Sequence, residues 1–265
     1  VGTGKVPQNT NYKKHKNYWE VEGVKIHGFD IARPGQIFSV VDFLENTRKT
    51  AEQIKNRGKT PIVVGGTGFY VSSLFSKNDL ITIPPNTKLR KSLENYSAFD
   101  LFQKLKVLNI KKAASLNESD NKNPRRLIRA IEIELAKIAP SKKTQIEMPK
   151  AIIGLTAPNA YLYKKADAWL KWRLQNGMVE EVENLLKKGV PRRWLENLGL
   201  EYRWLVWHIL DKLPKNEMET RLAGDIHALI RRQKTWFSKF PNVKLYDVSK
   251  NYKNTVEKEV EKFIL

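Results

Sequence analysis

Three stretches bring together residue types that chemistry could use. The first is Pro61-Ile62-Val63-Val64-Gly65-Gly66-Thr67-Gly68-Phe69-Tyr70. Four apolar or β-branched residues suit a buried parallel strand covered on both faces, and the glycines after them let a backbone approach a ligand closely. A helix starting there would aim free N–H groups at an anion. Thr67 is the only side chain in the turn able to hydrogen-bond, which makes it the first candidate site residue. The second stretch, Asn123-Pro124-Arg125-Arg126-Leu127-Ile128-Arg129-Ala130-Ile131-Glu132, reads as a capped helix with Pro at its first position. Leu127, Ile128, Ile131 and Leu135 share a core face, leaving Arg125 and Arg129 on one exposed face with Arg126 beside them. Arginines in a first turn oppose the helix dipole, so their presence points to phosphate, with a solvated basic face as the alternative. The third stretch, Arg231-Arg232-Gln233-Lys234-Thr235-Trp236-Phe237, sets a basic cluster beside two aromatics at helical spacing. Trp236 and Phe237 read as core rather than base-stacking platforms; Arg232 and Gln233 fit either orientation. None of the histidines has a partner at metal-ligand spacing, and His27 and His227 read as structural or phosphate-side residues.

The elements that must position these residues follow from periodicity. Residues 1–30 are polar, basic and weakly periodic, with Lys13, Lys14, His15 and Lys16 in a row, and read as a surface segment without a core element. Residues 39–58 form an amphipathic helix in which Val40, Phe43, Leu44, Ala51 and Ile54 share a face and Gly58 supplies the stop. It leads into the strand at 61–64. From Asn86 to about Ala139 the chain is helical and charged, with Asn86 and Ser97 as caps and Leu101, Leu105 and Leu108 in one stripe. A second buried strand is expected at 151–155, then helices at 158–175, 178–187 and 201–212. A longer helix opens at Asn216 with Glu219 completing a capping box. A short strand at 243–246 and a helix at 252–264 close the chain. Trp169, Trp172, Trp194, Trp204 and Trp207 crowd the later helices as packing residues. Strands alternating with helices, interrupted by a helical excursion, predict an α/β fold with a parallel sheet carrying an insertion.

Composition narrows the partners. Lys and Arg number 48 against 28 Asp and Glu, a formal charge of +20, which favours a polyanion because neutralised phosphates release counterions. A generally basic surface without a specific partner is the bland alternative. No long basic amphipathic helix suggests a membrane surface, and no run of apolar residues is long enough to span one. The absence of cysteine excludes disulfides and thiolate metal sites and fits a reducing compartment.

Taken in order, these motifs resemble the tRNA dimethylallyltransferases, also called tRNA isopentenyltransferases. The resemblance runs through Gly2 to Lys5, Val24 to Ile31, the 39–58 helix and the glycine turn. It continues through Asn123 to Glu132, Gly177-Met178-Val179-Glu180-Glu181-Val182, Gly199 to Arg203 and Arg231 to Phe237. It implies transfer of a dimethylallyl group from dimethylallyl diphosphate to N6 of the adenosine just 3′ of the anticodon. The implied architecture is a P-loop-kinase-like core in residues 1–84 and 148–265, the latter helix-rich, with a tRNA-gripping helical insertion at 85–147. Thr67 would serve as the catalytic-site residue, with Gly65, Gly66, Gly68, Arg232 and Gln233 binding substrate. Arg90, Arg125, Arg126, Arg129, Gly199, Glu201, Tyr202 and Arg203 would contact tRNA. The family also implies Mg²⁺ beside the diphosphate, with no metal ligands among the residues named here, and a cytoplasmic monomer whose partners are the tRNA anticodon arm and dimethylallyl diphosphate.

The chain departs from that pattern in two ways. The family opens with a strand, a Walker A loop and an Asp acting as general base; Gly2-Thr3-Gly4-Lys5 is not that loop, because its spacing is wrong and no strand precedes it. The chain also starts without Met. It therefore reads as an N-terminally incomplete copy whose sheet lacks its first strands, with marginal stability, and which is expected not to catalyse the transfer alone. Second, an Arg-Ile-x-x-Arg pattern is replaced by Lys165-Ala166-Asp167-Ala168-Trp169, and His227 stands where many relatives carry Arg. Lys165 and Arg173 are nearby cations, but Lys does not reproduce a bidentate guanidinium. A non-catalytic basic tRNA-binding protein is the alternative reading. A P-loop small-molecule kinase relative is disfavoured, having no use for the Arg125–Arg129 surface.

Overall fold

The computed structural model describes residues 2–7, 10–36, 38–75, 83–136 and 151–264. The chain divides into two compact units, one within Val1–Ser39, Lys49–Ser72 and Glu147–Leu265, the other within Val40–Arg48 and Ser73–Ile146. After a short 3₁₀ turn at Gly2–Gly4, the first unit builds an antiparallel meander from β1 (Tyr12–Lys14), β2 (Trp19–Val21) and β3 (Val24–Ile26). Glu22 and Gly23 both hold positive φ, 49° and 79°, the pair that a two-residue hairpin matching strand twist requires. This corrects the expectation of a surface segment without core. Trp19 is only 5% exposed, with Tyr12 stacked 5.1 Å away and Phe29 edge-on at 5.3 Å. Only β2 alternates, Trp19 and Val21 buried with Glu20 between them, and three residues are too few for that pattern to stand out beside the aromatic contacts.

Helix α1 (Val40–Lys55) ends as anticipated: Gly58 takes a left-handed φ of 69° while Lys59 N–H donates to the Ile54 carbonyl at 3.2 Å. The 61–64 segment is not the buried strand its composition suggested. It joins no ladder among the described residues, and Ile62 and Val64 are 82% and 90% exposed. Strand propensity is expressed only beside a neighbouring strand, and no described strand pairs with it. Helix α2 (Gly68–Phe75) follows the glycine turn.

The second unit's helices are α3 (Thr87–Leu93), α4 (Ala98–Leu108), α5 (Ile110–Ala114), α6 (Glu118–Asn121) and α7 (Pro124–Leu135). Side-chain oxygens of Asn86, Ser97, Asn109, Asn117 and Asn123 each accept a backbone N–H three residues on, the N-cap geometry worth about 1 kcal/mol apiece. Leu101 and Leu105 of α4 pack with Leu127, Ala130 and Ile131 of α7 and with Leu93 and Ala113. Each fully buried leucine contributes about 1.5–3 kcal/mol. Leu108 and Leu135, expected in the core, are instead exposed because each closes its helix beyond the packed stripe. The expected end of this helical stretch, near Ala139, lies outside the described residues.

The first unit resumes with β4 (Ile153–Thr156), α8 (Asn159–Gln175), α9 (Met178–Lys187), α10 (Arg192–Leu198), α11 (Leu200–Ile209), α12 (Lys215–Phe237), β5 (Lys244–Asp247) and α13 (Lys253–Ile264). Strands β4 and β5 pair in parallel, Ile153 opposite Lys244 and Thr156 opposite Asp247. That is the whole of the parallel sheet among the described residues, so Leu155 of the expected buried strand stays 60% exposed. The core is helical: Leu170, Met178, Val182, Leu195, Leu205, Val206, Met218 and Leu222 are buried together, with Trp194, Trp204 and Trp207 packed around them. Trp169 and Trp172 stack on each other at 4.9 Å. Two expectations fail here. Helix α10 was unanticipated, and α12 starts at Lys215 behind Pro214 with no side-chain cap in place of the Asn216–Glu219 capping box. Proline already sets the entry φ, so the helix begins one residue before Asn216. No helix among the described residues is long and apolar enough to cross a membrane.

Candidate active site

The glycine turn is shaped by what lies against it. A Cβ on Gly66 would fall within the Gln233 carboxamide, and one on Gly68 within the Trp236 indole. Only glycine permits this approach of α12 to the turn. Thr67 occupies the capping position of α2, its carbonyl accepting N–H bonds from Tyr70 at 3.0 Å and Val71 at 3.1 Å. Its side chain is exposed, and its hydroxyl has no partner among the described residues. Gly65 is exposed beside it. Trp236, read from sequence as core, is 45% exposed and forms the wall over Gly68.

Helix α12 is held in place by a polar seam with α8. His227 Nε2 lies 2.8 Å from Asp167 and its ring stacks on Tyr163 at 4.0 Å; Arg231 donates to the Tyr163 hydroxyl at 2.9 Å. One further turn along, Lys234 Nζ donates to the Ala157 carbonyl and to Asn159 Oδ1, both at 2.8 Å. The seam follows helical spacing on both sides, residues 227, 231 and 234 against 167, 163 and 159. It leads from mid-helix to the carboxyl end of β4, where ligands of α/β sheets collect. There Ser249 donates two hydrogen bonds to Asp247 and, with the charges of Lys250 and Lys234, holds that carboxyl below its usual range. Arg232, between these anchored residues, is exposed and without a partner among the described residues. Thus Gly65, Gly66, Thr67, Gly68 and Gln233 come together, with Arg232 on the adjoining turn. Sequence reasoning missed Lys234 and the Trp236 wall, although both lay inside a motif already singled out.

Two arginines of the second unit, Arg90 and Arg129, are spoken for by one acid. Glu132, its side chain 1% exposed, accepts Arg90 Nε at 2.9 Å and Nη2 at 2.8 Å, and also Arg129 Nη1 and the Asn86 N–H. Burial alone would raise its pKa; the bonds from Arg90, Arg129 and Asn86 outweigh that and hold it below the ordinary carboxylate value. Arg129 also donates to the Ile83 carbonyl at 2.8 Å, so it lies half-buried rather than on the exposed face expected. Arg126 pairs with Asp120. Arg125 is exposed and unpartnered among the described residues. Glu132 was missed, though an acid in an otherwise apolar helical face was the signal.

The 199–203 turn is likewise tied inward. Gly199 has φ 75° and ψ −165°, joining α10 to α11. Glu201 accepts buried Arg173 at 2.8 Å, Tyr202 donates to Glu181 Oε1 at 2.9 Å, and Thr3 donates to Glu181 Oε2 through both N–H and hydroxyl. Burial and the Glu181 charge push the Tyr202 pKa well up. Arg203 Nε reaches the Glu196 carbonyl at 3.5 Å. Arg173 therefore ties α8 to α11 through Glu201. Among the described residues no three Asp, Glu or His side chains are grouped to hold a metal ion.

Known proteins match along most of the chain. A tRNA dimethylallyltransferase of Geotalea daltonii is 35% identical over 224 residues, covering 84% of this chain and 72% of its own length. One from Syntrophotalea carbinolica is 35% identical over 224 residues, covering 84% and 74%. The crystal structure of the full-length tRNA isopentenylpyrophosphate transferase of Bacillus halodurans is 27% identical and superposes with a TM-score of 0.61, covering 92% of this chain and 78% of that one. That of Staphylococcus epidermidis gives the same TM-score at 24% identity, a likeness of fold. The sequence pattern of the IPP transferases matches residues 4–240, and the chain belongs to that family.

Proposed function

We propose that this protein transfers a dimethylallyl group from dimethylallyl diphosphate to N6 of the adenosine just 3′ of a tRNA anticodon. The observation that carries the proposal is the seating of Gln233 against Gly66, where two motifs distant in sequence converge on one turn. The reaction class comes from the family and from the names of its relatives. In the reaction N6 bonds to the dimethylallyl C1, the C1–O bond breaks, diphosphate leaves with the electron pair, and the N6 proton passes to solvent. Charge develops on the departing diphosphate, where N–H groups and a guanidinium stabilise it. On this reading the 65–68 turn and Arg232 face the diphosphate, while Thr67 and Gln233 orient an adenine that has left its stack. Arg125, unpartnered among the described residues, is the foremost RNA contact; Arg90, Arg126, Arg129 and the 199–203 turn add further contacts. The reading brings with it a P-loop-kinase-like core and a monomer working in the cytoplasm. Mg²⁺ belongs with diphosphate chemistry, but the described residues form no cluster fitted to hold it, and no step here passes through it.

The test is product formation. The full-length gene product is incubated with dimethylallyl diphosphate and an unmodified anticodon stem-loop, and the RNA is digested to nucleosides; residues 1–265 alone are expected to give no turnover. N6-dimethylallyladenosine is expected, and a stem-loop with guanosine at that position should give none. Stem-loop binding without product at saturating diphosphate would make this a non-catalytic binder and sink the proposal.

A further inference from the structure

The β1–β3 meander carries a cationic face that the proposed chemistry does not use. Direct cross-strand partners share a face of a sheet, so the register places Lys13, Glu20 and Lys25 side by side. At the β1–β2 tip His15 stacks on Tyr18 at 4.4 Å, and Lys25 Nζ sits 5.0 Å from the Tyr18 ring centroid. Lys16 projects from the same tip, and Lys13, His15, Lys16 and Lys25 are all exposed. The one carboxylate on this face, Glu20, lies 3.9 Å from His15; Glu22 stands at the opposite hairpin, away from the tip. The other face of the meander is closed by Trp19, over which Lys14 sits at 4.4 Å. The tip thus gathers cations around an aromatic stack, outnumbering its one carboxylate among the described residues.

We propose that this tip is a second RNA contact, in which Lys13, Lys16 and Lys25 take backbone phosphates and the outer face of the His15 ring takes an unpaired base. The chemistry favours RNA over an anionic membrane: the tip presents flat rings and point charges and no apolar side chain to insert. The inference rests on the tRNA reading above, but it concerns binding and is measured without turnover.

The experiment follows binding of an unmodified tRNA by fluorescence anisotropy between about 50 and about 200 mM salt, for the unaltered protein and for K13Q/K16Q/K25Q. Loss of two to three phosphate contacts predicts roughly tenfold or greater weakening and a log–log salt slope shallower by about two. A control, K253Q/K258Q/K262Q on α13, removes equal charge elsewhere and should stay within about twofold, because contact and not bulk charge sets the slope. Thermal melts confirm that both variants fold. Unchanged affinity and slope in the tip variant overturn the inference, as does an equal loss in the α13 control. Preference of the unaltered protein for anionic phosphatidylserine vesicles over tRNA, abolished by the tip substitutions, also overturns it. If the unaltered protein modifies tRNA while the tip variant binds normally, only this inference falls. If the protein binds no tRNA, both fall.

Discussion

The carboxamide of Gln233 lies so close over Gly66 that a Cβ there would fall inside it, while Gly68 meets the Trp236 ring in the same way. The two contacts differ in what can give. At Gly66 the obstructing atoms are the far end of a flexible side chain, and Gln233 can swing away. Gly66→Ala should therefore cost under about 1 kcal/mol in stability yet lower prenyl transfer sharply by displacing Gln233 from the turn. At Gly68 the obstacle is three atoms of a rigid indole, so Gly68→Ala should cost about 1–3 kcal/mol. Adding Trp236→Ala should recover part of that loss. Thermal melts of the two single variants and the double variant decide it; equal melting of the single variants would contradict the distinction.

Neighbouring arginines on α12 should separate binding from packing. Arg231 is anchored on Tyr163, whereas Arg232 has no partner among the described residues. Arg231→Ala should lower stability by about 1 kcal/mol, as should Tyr163→Phe, because one charge-assisted bond at an exposed site is lost. Arg232→Ala should leave the melting temperature unchanged and raise the KM for dimethylallyl diphosphate at least tenfold. An unaltered KM for Arg232→Ala would remove it from the site.

Glu132 supports a pH-dependent prediction. Its carboxyl is held below the ordinary value of about 4.3 in the folded state. The stabilisation is therefore fully present above that ordinary value and is lost as pH falls through the lower folded value. Glu132→Gln should destabilise the second unit at neutral pH by about 2–3 kcal/mol, less than for a fully buried pair because Arg90 keeps access to water. The difference from the unaltered protein should shrink on acidification below about pH 4. Chemical denaturation followed at neutral and acid pH reads this directly. A difference constant across that range would show that the charge on Glu132 is not what matters.

These contrasts also show which parts of the molecule are legible in the sequence. Helices α8 and α9 and the Asn86, Ser97 and Asn123 caps are readable because capping and helical periodicity involve residues only a few positions apart. The 61–64 segment has the composition of a strand, but a ladder depends on a neighbouring strand, and nothing within four residues states whether one is there. Helical periodicity puts Arg129 on an open face because half of its environment, Arg90 and the Ile83 carbonyl, lies about forty residues or more away in the chain. At the candidate site, Thr67 and Gln233 stand out by residue type. That Gly66 and Gly68 serve to admit Gln233 and Trp236 is visible only in the fold, since a glycine's sequence context does not say what it makes room for.

Two further glycines should respond to alanine with opposite signs. Gly199 combines φ 75° with ψ −165°, a region essentially closed to residues with a Cβ, at the junction that sends α11 into the core. Gly199→Ala should cost about 1–3 kcal/mol whatever space surrounds it, because the strain is in the backbone. It should also weaken RNA binding if Glu201 and Tyr202 shift with α11. Gly224 lies inside α12 at an ordinary helical φ, and a Cβ there would point into open space. Gly224→Ala should therefore stabilise by about 0.5–1 kcal/mol, since the unfolded chain loses freedom and the helix loses nothing. Urea denaturation of both variants gives the two signs. A neutral Gly199→Ala would mean that the α10–α11 junction relaxes into another turn, and the inward ties of Glu201 to Arg173 and of Tyr202 to Glu181 would then have to tolerate a different entry into α11.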